Sequence, residues 1–254
     1  MSKRGLVIFI WITILFGQSN LEKGHRVYDR RSEGSREDVA QPEPINEAIA
    51  FYVQAMDDPD AEVEATIALL KSYYFKGKYA CKSEDEQKVV FNKAKSLAMA
   101  ALKKYPHRAE IHYWYTTNLG SWAEIYGIFS AAKEGVADQI KVHAMKVIEL
   151  DPHYENGGGY FMMGVIHYKS PYIPFLLSWP DNEEAVAFLE KAVGTGEATP
   201  VQKVYLAQAL YKEKDKQRAL AILNEVASMK PYMDELLYDW EQIKKARRLL
   251  KDLQ

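Results

Sequence analysis

Apolar and small residues recur at helical spacing along most of the chain. The most regular run is Val201 to Pro231, VQKVYLAQALYKEKDKQRALAILNEVASMKP. Leu206, Ala207 and Leu210 mark one face of a first helix, and Ala219, Leu223 and Val226 mark one face of a second. The polar stretch KEKDK turns the chain between them. Small side chains at Ala207 and Ala219 let two antiparallel helices approach closely. Pro231 ends the second, because proline lacks an N–H and clashes with the preceding turn.

The second-helix pattern returns upstream. Ala94, Ala98, Ala101 and Pro106 sit at offsets 0, 4, 7 and 12, as do Ile140, Ala144, Val147 and Pro152, and as do Ala219, Leu223, Val226 and Pro231. Ala185, Leu189 and Ala192 repeat the first three offsets, with Gly194 and Gly196 as the stop. The hairpin at 201–231 looks like one tetratricopeptide (TPR) repeat, whose period is about 34 residues. The four second-helices end near positions 106, 152, 196 and 231, so only the last spacing is close to that period. Ala207 precedes Ala219 by 12 residues, whereas Gly120 precedes Ile140 by 20 and Gly164 precedes Ala185 by 21. Two insertions therefore lie inside hairpins, around Ile125–Gly135 and at Lys169–Asp181. The predicted fold is all-α: degenerate TPR hairpins stacked in a superhelix or bundle, with a helix over 234–254 covering the open end of the last repeat.

Helices are also predicted at Ile45–Asp57, with Ile49, Val53 and Met56 on one face, at Ala61–Phe75, and at Glu84–Tyr105. Residues 20–44 are polar with little periodicity and read as a flexible tether. Its Arg30–Arg31 pair reads as solvated charge. Ahead of it, Lys3 and Arg4 precede an apolar run of 13 residues, GLVIFIWITILFG, and then small residues at Gly17 and Ser19. This is the pattern of a secretory signal peptide over 1–19, with an uncleaved anchor as the alternative. The expected units are thus a signal peptide (1–19), a tether (20–44) and a TPR-like domain (45–254).

Composition narrows the chemistry. The 254 residues carry a formal charge of −2, which gives no electrostatic case for nucleic acid. Cys81 is the only cysteine, so neither an internal disulfide nor a cysteine metal site is expected. No HExxH, GxSxG, CxxC or P-loop occurs, and the six histidines show no metal-ligand spacing with a carboxylate. No catalytic residue, metal or cofactor is expected. Gly157–Gly159 reads as an inter-repeat turn, with an anion site at the following helix start as the alternative.

The run HYWYTTNLGSWAEIYG, a helix ending IELDP, the segment YFMMGVIHY with its proline- and tryptophan-containing insertion, then DNEEAVAFLEKAV and KVYLAQAL…ALAILNEV together resemble the TRAP transporter T-component family. The resemblance spans roughly residues 46–231 and is carried most by Trp114, Asn118, Gly120 and Trp122 and by the two elongated hairpins. It implies a helical bundle with a channel or cleft, export to the periplasm, and a TRAP substrate-binding protein as partner. Some members are lipoproteins. No cysteine follows the apolar run here, so attachment by that route is not expected.

In a TPR array the first-helices line the concave face. Counting from the packing residues Gly120, Gly164 and Ala207, the groove set is Trp114, Thr117 and Ser121 with Glu124; Gly158, Phe161 and Val165 with Tyr168; and Val201, Val204 and Gln208 with Tyr211. With Asn118 and Trp122 these are the candidate ligand or partner residues. They describe an apolar, aromatic groove suited to a hydrophobic or amphipathic small ligand or a partner helix. The alternative is that Trp114 and Phe161 only pack between repeats. In the second insertion three prolines forbid a long helix, while Tyr172, Phe175, Leu176 and Trp179 are unusually apolar for a loop. They form either a flap over the groove mouth or an exposed partner patch. The functional expectation is a non-enzymatic T-component-like subunit in the periplasm, with a general periplasmic scaffold for envelope protein assembly as the alternative. A homo-oligomer is left open.

Overall fold

A computed structural model describes residues 18–253 apart from Pro174 and Leu176. The apolar run at 5–17 and the patch residue Leu176 lie outside the described residues. Among the described residues there are twelve α-helices, and none is long and apolar enough to cross a membrane. They are α1 (Asn20–Asp29), α2 (Pro42–Ala55), α3 (Glu62–Phe75), α4 (Glu84–Lys104), α5 (Ala109–Tyr126), α6 (Ile128–Lys133), α7 (Val136–Leu150), α8 (Gly158–Lys169), α9 (Asn182–Thr195), α10 (Pro200–Lys212), α11 (Lys216–Ser228) and α12 (Leu236–Leu253). A π turn, Lys76–Ala80, continues α3.

Helices close in sequence pair as antiparallel hairpins: α4 with α5, α5 with α7 across the short α6, α8 with α9, and α10 with α11. Small residues set their spacing. A Cβ on Gly164 would sit 2.5 Å from Leu189 Cγ, so α8 and α9 touch nearly backbone to backbone. At Gly120 the nearest atom to such a Cβ is Ile140 Cδ1 at 3.9 Å, so α5 and α7 stand further apart. The predicted apolar offsets are core positions: Ala94, Ala98, Ala144, Val147, Ala185, Leu189, Ala219, Leu223 and Val226 are all buried. The all-α TPR-like superhelix read from the sequence is the fold observed.

Three readings of the N-terminal part are corrected. Residues 20–44 are not a tether. Ser19 and Glu22 form a reciprocal capping box that starts α1, and Gly24, Val27 and Tyr28 are buried against α2. The segment escaped notice because it packs through one glycine and few apolar side chains. A Cβ on Gly24 would lie 2.5 Å from the Tyr52 ring. Arg30 is exposed and paired with Glu33, but Arg31 is 6% exposed. Its guanidinium lies 4.4 Å from the Tyr28 ring centroid and donates to the Asp234 carbonyl at 2.8 Å. In α2 the buried face is Ile45, Ala48, Tyr52 and Ala55, and the expected face residue Val53 is exposed. Gly24→Val is expected to cost about 1–3 kcal/mol by overpacking onto Tyr52. Urea unfolding measures it, and an unchanged midpoint would show that α1 is dispensable.

α12 does more than cover the last repeat. It packs on α10 and α11, and it also reaches the other end of the array. Leu237 is fully buried in the N-terminal cluster with Tyr28, Tyr52, Phe75 and Tyr79. Glu241 accepts from Lys78 Nζ and from the Tyr79 hydroxyl, each at 2.7 Å. Lys244 pairs with Glu37 and Asp38. The C-terminal helix therefore bridges the first and last layers across the concave face.

Candidate functional site

Because α12 spans the concave face, the groove expected from the repeats becomes a cavity of about 420 Å³. That lies within the roughly 300–1,000 Å³ typical of small-molecule sites. Its apolar walls come from α6 and α7 (Ile128, Ala131, Val136), from α8 (Phe161, Val165, Ile166) and from the insertion loop (Ile173, Leu177). Both sequence insertions thus wall the same space. Ile128 lines the cavity and is half exposed, so the cavity reaches solvent beside α6.

The opposite end is charged. The π turn after α3 sets Lys78 into the wall, and Gly77 makes room for it by lying against the Phe91 ring, 2.4 Å from where a Cβ would be. Lys78 pairs with Glu241, and Lys169 pairs with Glu124. Burial opposes the charge on Lys78, but Tyr74 and Glu241 more than offset it and hold the ammonium well above its usual value. Burial likewise opposes the Glu124 carboxylate, and Lys169 overcomes it, keeping Glu124 below the usual range. Both carboxylates are therefore matched by lysines.

Lys245 is the third lysine in the wall, and no carboxylate lies within ion-pair distance of it among the described residues. Its ammonium sits 4.2 Å from the Tyr205 ring centroid. Burial, then repulsion from Lys169, pushes its pKa down to about 8. One turn earlier on the same helix, Gln242 also lines the cavity. It is 5% exposed, and its side-chain oxygen has no protein partner. Lys78, Ser121, Glu124 and Glu241 also border a smaller polar cavity of about 230 Å³, so the charged end continues toward α4 and Asp38. One end of the site is apolar, and the other carries an excess positive charge and an unsatisfied carboxamide.

The expected groove residues divide. Thr117, Ser121, Glu124, Phe161, Val165 and Val201 line the cavity. The others pack elsewhere. Trp114 is buried beside Tyr74 and donates its indole N–H to the Tyr154 hydroxyl at 3.1 Å. Asn118 is fully buried and donates to the Leu70 and Trp114 carbonyls, tying α5 to α3. Trp122 stacks on Tyr126 and donates to Asn92. Gly158 is buried against the Tyr113 ring. Val204 is buried in the α9–α10–α11 core, Tyr168 is hydrogen-bonded to Gln208, and Tyr211 lies under Lys216. Sequence reasoning missed Tyr74, Lys78, Tyr205, Glu241, Gln242 and Lys245. A repeat pattern carries no signal that the terminal helix folds back into the groove.

The expected partner patch also divides. The insertion closes as a tight loop in which Ile173 and Leu177 exchange backbone hydrogen bonds of 2.7 and 2.8 Å. Trp179 anchors its base. The indole N–H donates to Asp138 at 2.7 Å, and Lys141 and His167 flank the ring. Tyr172 and Phe175 point outward and are exposed.

Two of the histidines, His112 and His143, pair at a part-buried contact. His112 Nε2 lies 3.0 Å from the Pro106 carbonyl, and only a ring N–H can make that bond. His112 Nδ1 is then the acceptor for His143 Nδ1–H, 2.7 Å away. Burial, reinforced by His112, pushes His143 down to about 4, and burial lowers His112 as well. Unfolded histidine titrates near 6.5. Between about pH 6.5 and 4 the unfolded chain therefore binds more protons, and stability falls as pH falls. The expected loss is about 1–2 kcal/mol after allowing for the partial exposure of the pair. Urea midpoints at pH 7 and pH 4.5 read it, and His143→Leu is expected to flatten that dependence.

The family model described as "RMD1-3: Regulator of microtubule dynamics protein 1-3" matches residues 29–176. The chain is 32% identical over 127 residues to regulator of microtubule dynamics protein 3 of Rattus norvegicus. It is 32% identical over 116 residues to the Mus musculus protein and 34% over 100 residues to that of Bos taurus. These matches take in 50%, 46% and 39% of this chain and 25%, 23% and 20% of the relatives, so the chain spans about a quarter or less of their length. Among solved structures it superposes on a thermophilic TPR protein of Thermus thermophilus, with a TM-score of 0.59 and 14% identity, covering 92% of this chain and 96% of that one. That likeness shows the fold alone.

These findings overturn the TRAP T-component resemblance, and with it the TRAP substrate-binding partner, the periplasmic compartment and the periplasmic envelope scaffold. The features that suggested them were small residues at helix crossings, aromatic first-helices and long hairpins. Those are demands of helix packing in any degenerate TPR array and do not separate one such family from another. The chain belongs to the regulator of microtubule dynamics protein 1-3 family.

Proposed function

We propose that this domain is a non-catalytic binding module whose cavity holds a small amphiphile with an anionic head and an apolar tail. The observation that carries the reading is Lys245, a cavity lysine left without a carboxylate while its two neighbours are paired. An unpaired cation in a part-buried wall costs stability unless something supplies the opposite charge. Gln242 beside it can turn its carboxamide to give an N–H to a second head-group oxygen. Phe161, Val165, Ile166 and the two insertions supply the tail's surroundings. Of the other charged groups of the wall, Lys78 and Lys169 are paired with Glu241 and Glu124, and Asp138 accepts from the Trp179 N–H, a holding arrangement rather than a reactive one.

Displacement of 1-anilinonaphthalene-8-sulfonate by dodecyl phosphate tests this. One-to-one displacement that is weakened about tenfold or more by Lys245→Gln is the expected outcome. Displacement indifferent to Lys245 would show that the charged end takes no part.

We further infer, from the relatives' name alone, that the module serves the control of microtubule dynamics. Growth and catastrophe rates of purified microtubules, measured with the chain empty and loaded with dodecyl phosphate, test that role. Rates that neither form alters would remove it.

A further inference from the structure

The two insertions that wall the cavity also carry the most exposed aromatic side chains of the described residues. Phe129 on α6 is 90% exposed, and Phe175 at the tip of the insertion loop is completely exposed. Ile128 and Tyr172 stand beside them, both more than half exposed. Nothing in the packing explains two phenylalanines held in water. Phe175 is moreover held in the left-handed region, at φ 65°, which a side chain with a Cβ adopts only at a cost. The loop is pinned from below, by the Ile173–Leu177 bonds and by the bond from Trp179 to Asp138 of α7, so the tip is presented and not collapsed.

Both tips belong to the wall of one cavity, which Ile128 beside Phe129 and Ile173 in the loop of Phe175 both line. Trp179 at the base of the loop is bonded to Asp138 and covered by Lys141, and both lie on α7, the helix that follows α6. Two lysines beside the tips are available to an anionic surface: Lys133 on α6 and Lys141 over the Trp179 ring have no ion-pair partner among the described residues, while Glu134 is paired with Lys95. A folded protein partner is ordinarily met by a contiguous patch with a packed centre. Two aromatic tips on separate protrusions flanking an apolar opening match instead the shallow seating of aromatic side chains in a bilayer interface.

We propose that Phe129 and Phe175 seat the cavity mouth on the surface of an anionic lipid bilayer. This rests on the reading of the cavity as an amphiphile site: a tail entering past Ile128 and Ile173 then passes from lipid to protein without crossing water.

Hydrogen exchange of the full chain tests this, with and without vesicles of phosphatidylcholine carrying one part in five phosphatidylglycerol. The readout is local because the apolar run at 5–17 can itself hold the chain on a vesicle. The expected result is slowed exchange at 126–135 and 170–180, by about tenfold, and its loss in the double variant Phe129→Ser/Phe175→Ser. Vesicle-bound chain whose tips exchange as in solution overturns the proposal, as does protection that survives in the double variant. Protection of the tips by a soluble protein but not by vesicles also overturns it. Dodecyl phosphate binding in vesicle-free solution is measured on the same double variant. Loss of tip protection with that binding intact confirms folded, loaded protein. Failure of wild-type chain to bind dodecyl phosphate sinks the cavity reading whatever the tips do.

Discussion

Lys245→Glu is expected to lower affinity for an anionic amphiphile by about a hundredfold. Charges about 4 Å apart interact with about 4 kcal/mol at the effective dielectric of a protein surface. About 3 kcal/mol of net change for reversing one of them corresponds to that factor. The companion change tells function from structure. Lys245→Met removes a half-buried unpaired cation while keeping the stem's volume, and is expected to stabilise the empty protein by about 1–2 kcal/mol while still weakening anion binding. The two effects run in opposite directions, which a merely structural lysine would not show. The pH dependence follows. Lys245 titrates near 8 in the folded chain against an ordinary value near 10.5. Above pH 8 the unfolded chain binds more protons at this group, so its contribution to stability rises from pH 8 toward 10.5. Anion affinity goes the other way and declines as pH passes 8. Isothermal titration at pH 7 and pH 9.5, with urea midpoints at the same values, reads both.

Leu237→Ala is the second large effect. Leu237 is fully buried, and it is the side chain through which the C-terminal helix enters the N-terminal core. Its truncation is expected to cost about 3 kcal/mol. That lowers the melting temperature by about 6–10 °C in a chain of this size. The distinguishing consequence is where the loosening occurs. Hydrogen exchange is expected to accelerate in α1–α3 as well as in α12, more than 150 residues apart in sequence. Leu223→Ala in α11, also buried, is the control: it destabilises the last hairpin and leaves the ranking of α1–α3 unchanged. If Leu237→Ala loosened only α12, the helix would be a simple cap and would not tie the two ends of the array together across the cavity.

What the sequence revealed and concealed follows from where each signal resides. Hairpins are written locally: the offsets shared by Ala94, Ile140, Ala185 and Ala219 recur because each second-helix solves the same packing problem against its own partner. Gly164 was readable for that reason, since its contact with Leu189 lies within one hairpin. The first helix was not readable. It packs by the absence of a side chain at Gly24 and by Arg31 stacked over Tyr28, neither of which registers as apolar periodicity. The cavity was half readable. Thr117, Ser121, Phe161 and Val165 came from repeat geometry. Gln242 and Lys245 sit on a helix whose alternating apolar and basic residues look like a solvated face, and only its return across the groove turns that face inward. Trp114 and Trp122 drew attention by their type, yet both are spent on internal hydrogen bonds. Family membership lay beyond this kind of reading, because packing rules shared by all TPR arrays produced the features that looked distinctive.

The most direct measurement is a pair of calorimetric titrations with ligands that differ only in the head, dodecyl phosphate and dodecanol. One-to-one binding of the phosphate, at least about tenfold tighter than the alcohol, is predicted, with the difference erased in Lys245→Gln. Equal affinities, or a preference for the phosphate that persists without Lys245, would contradict an anionic-head site built on that lysine.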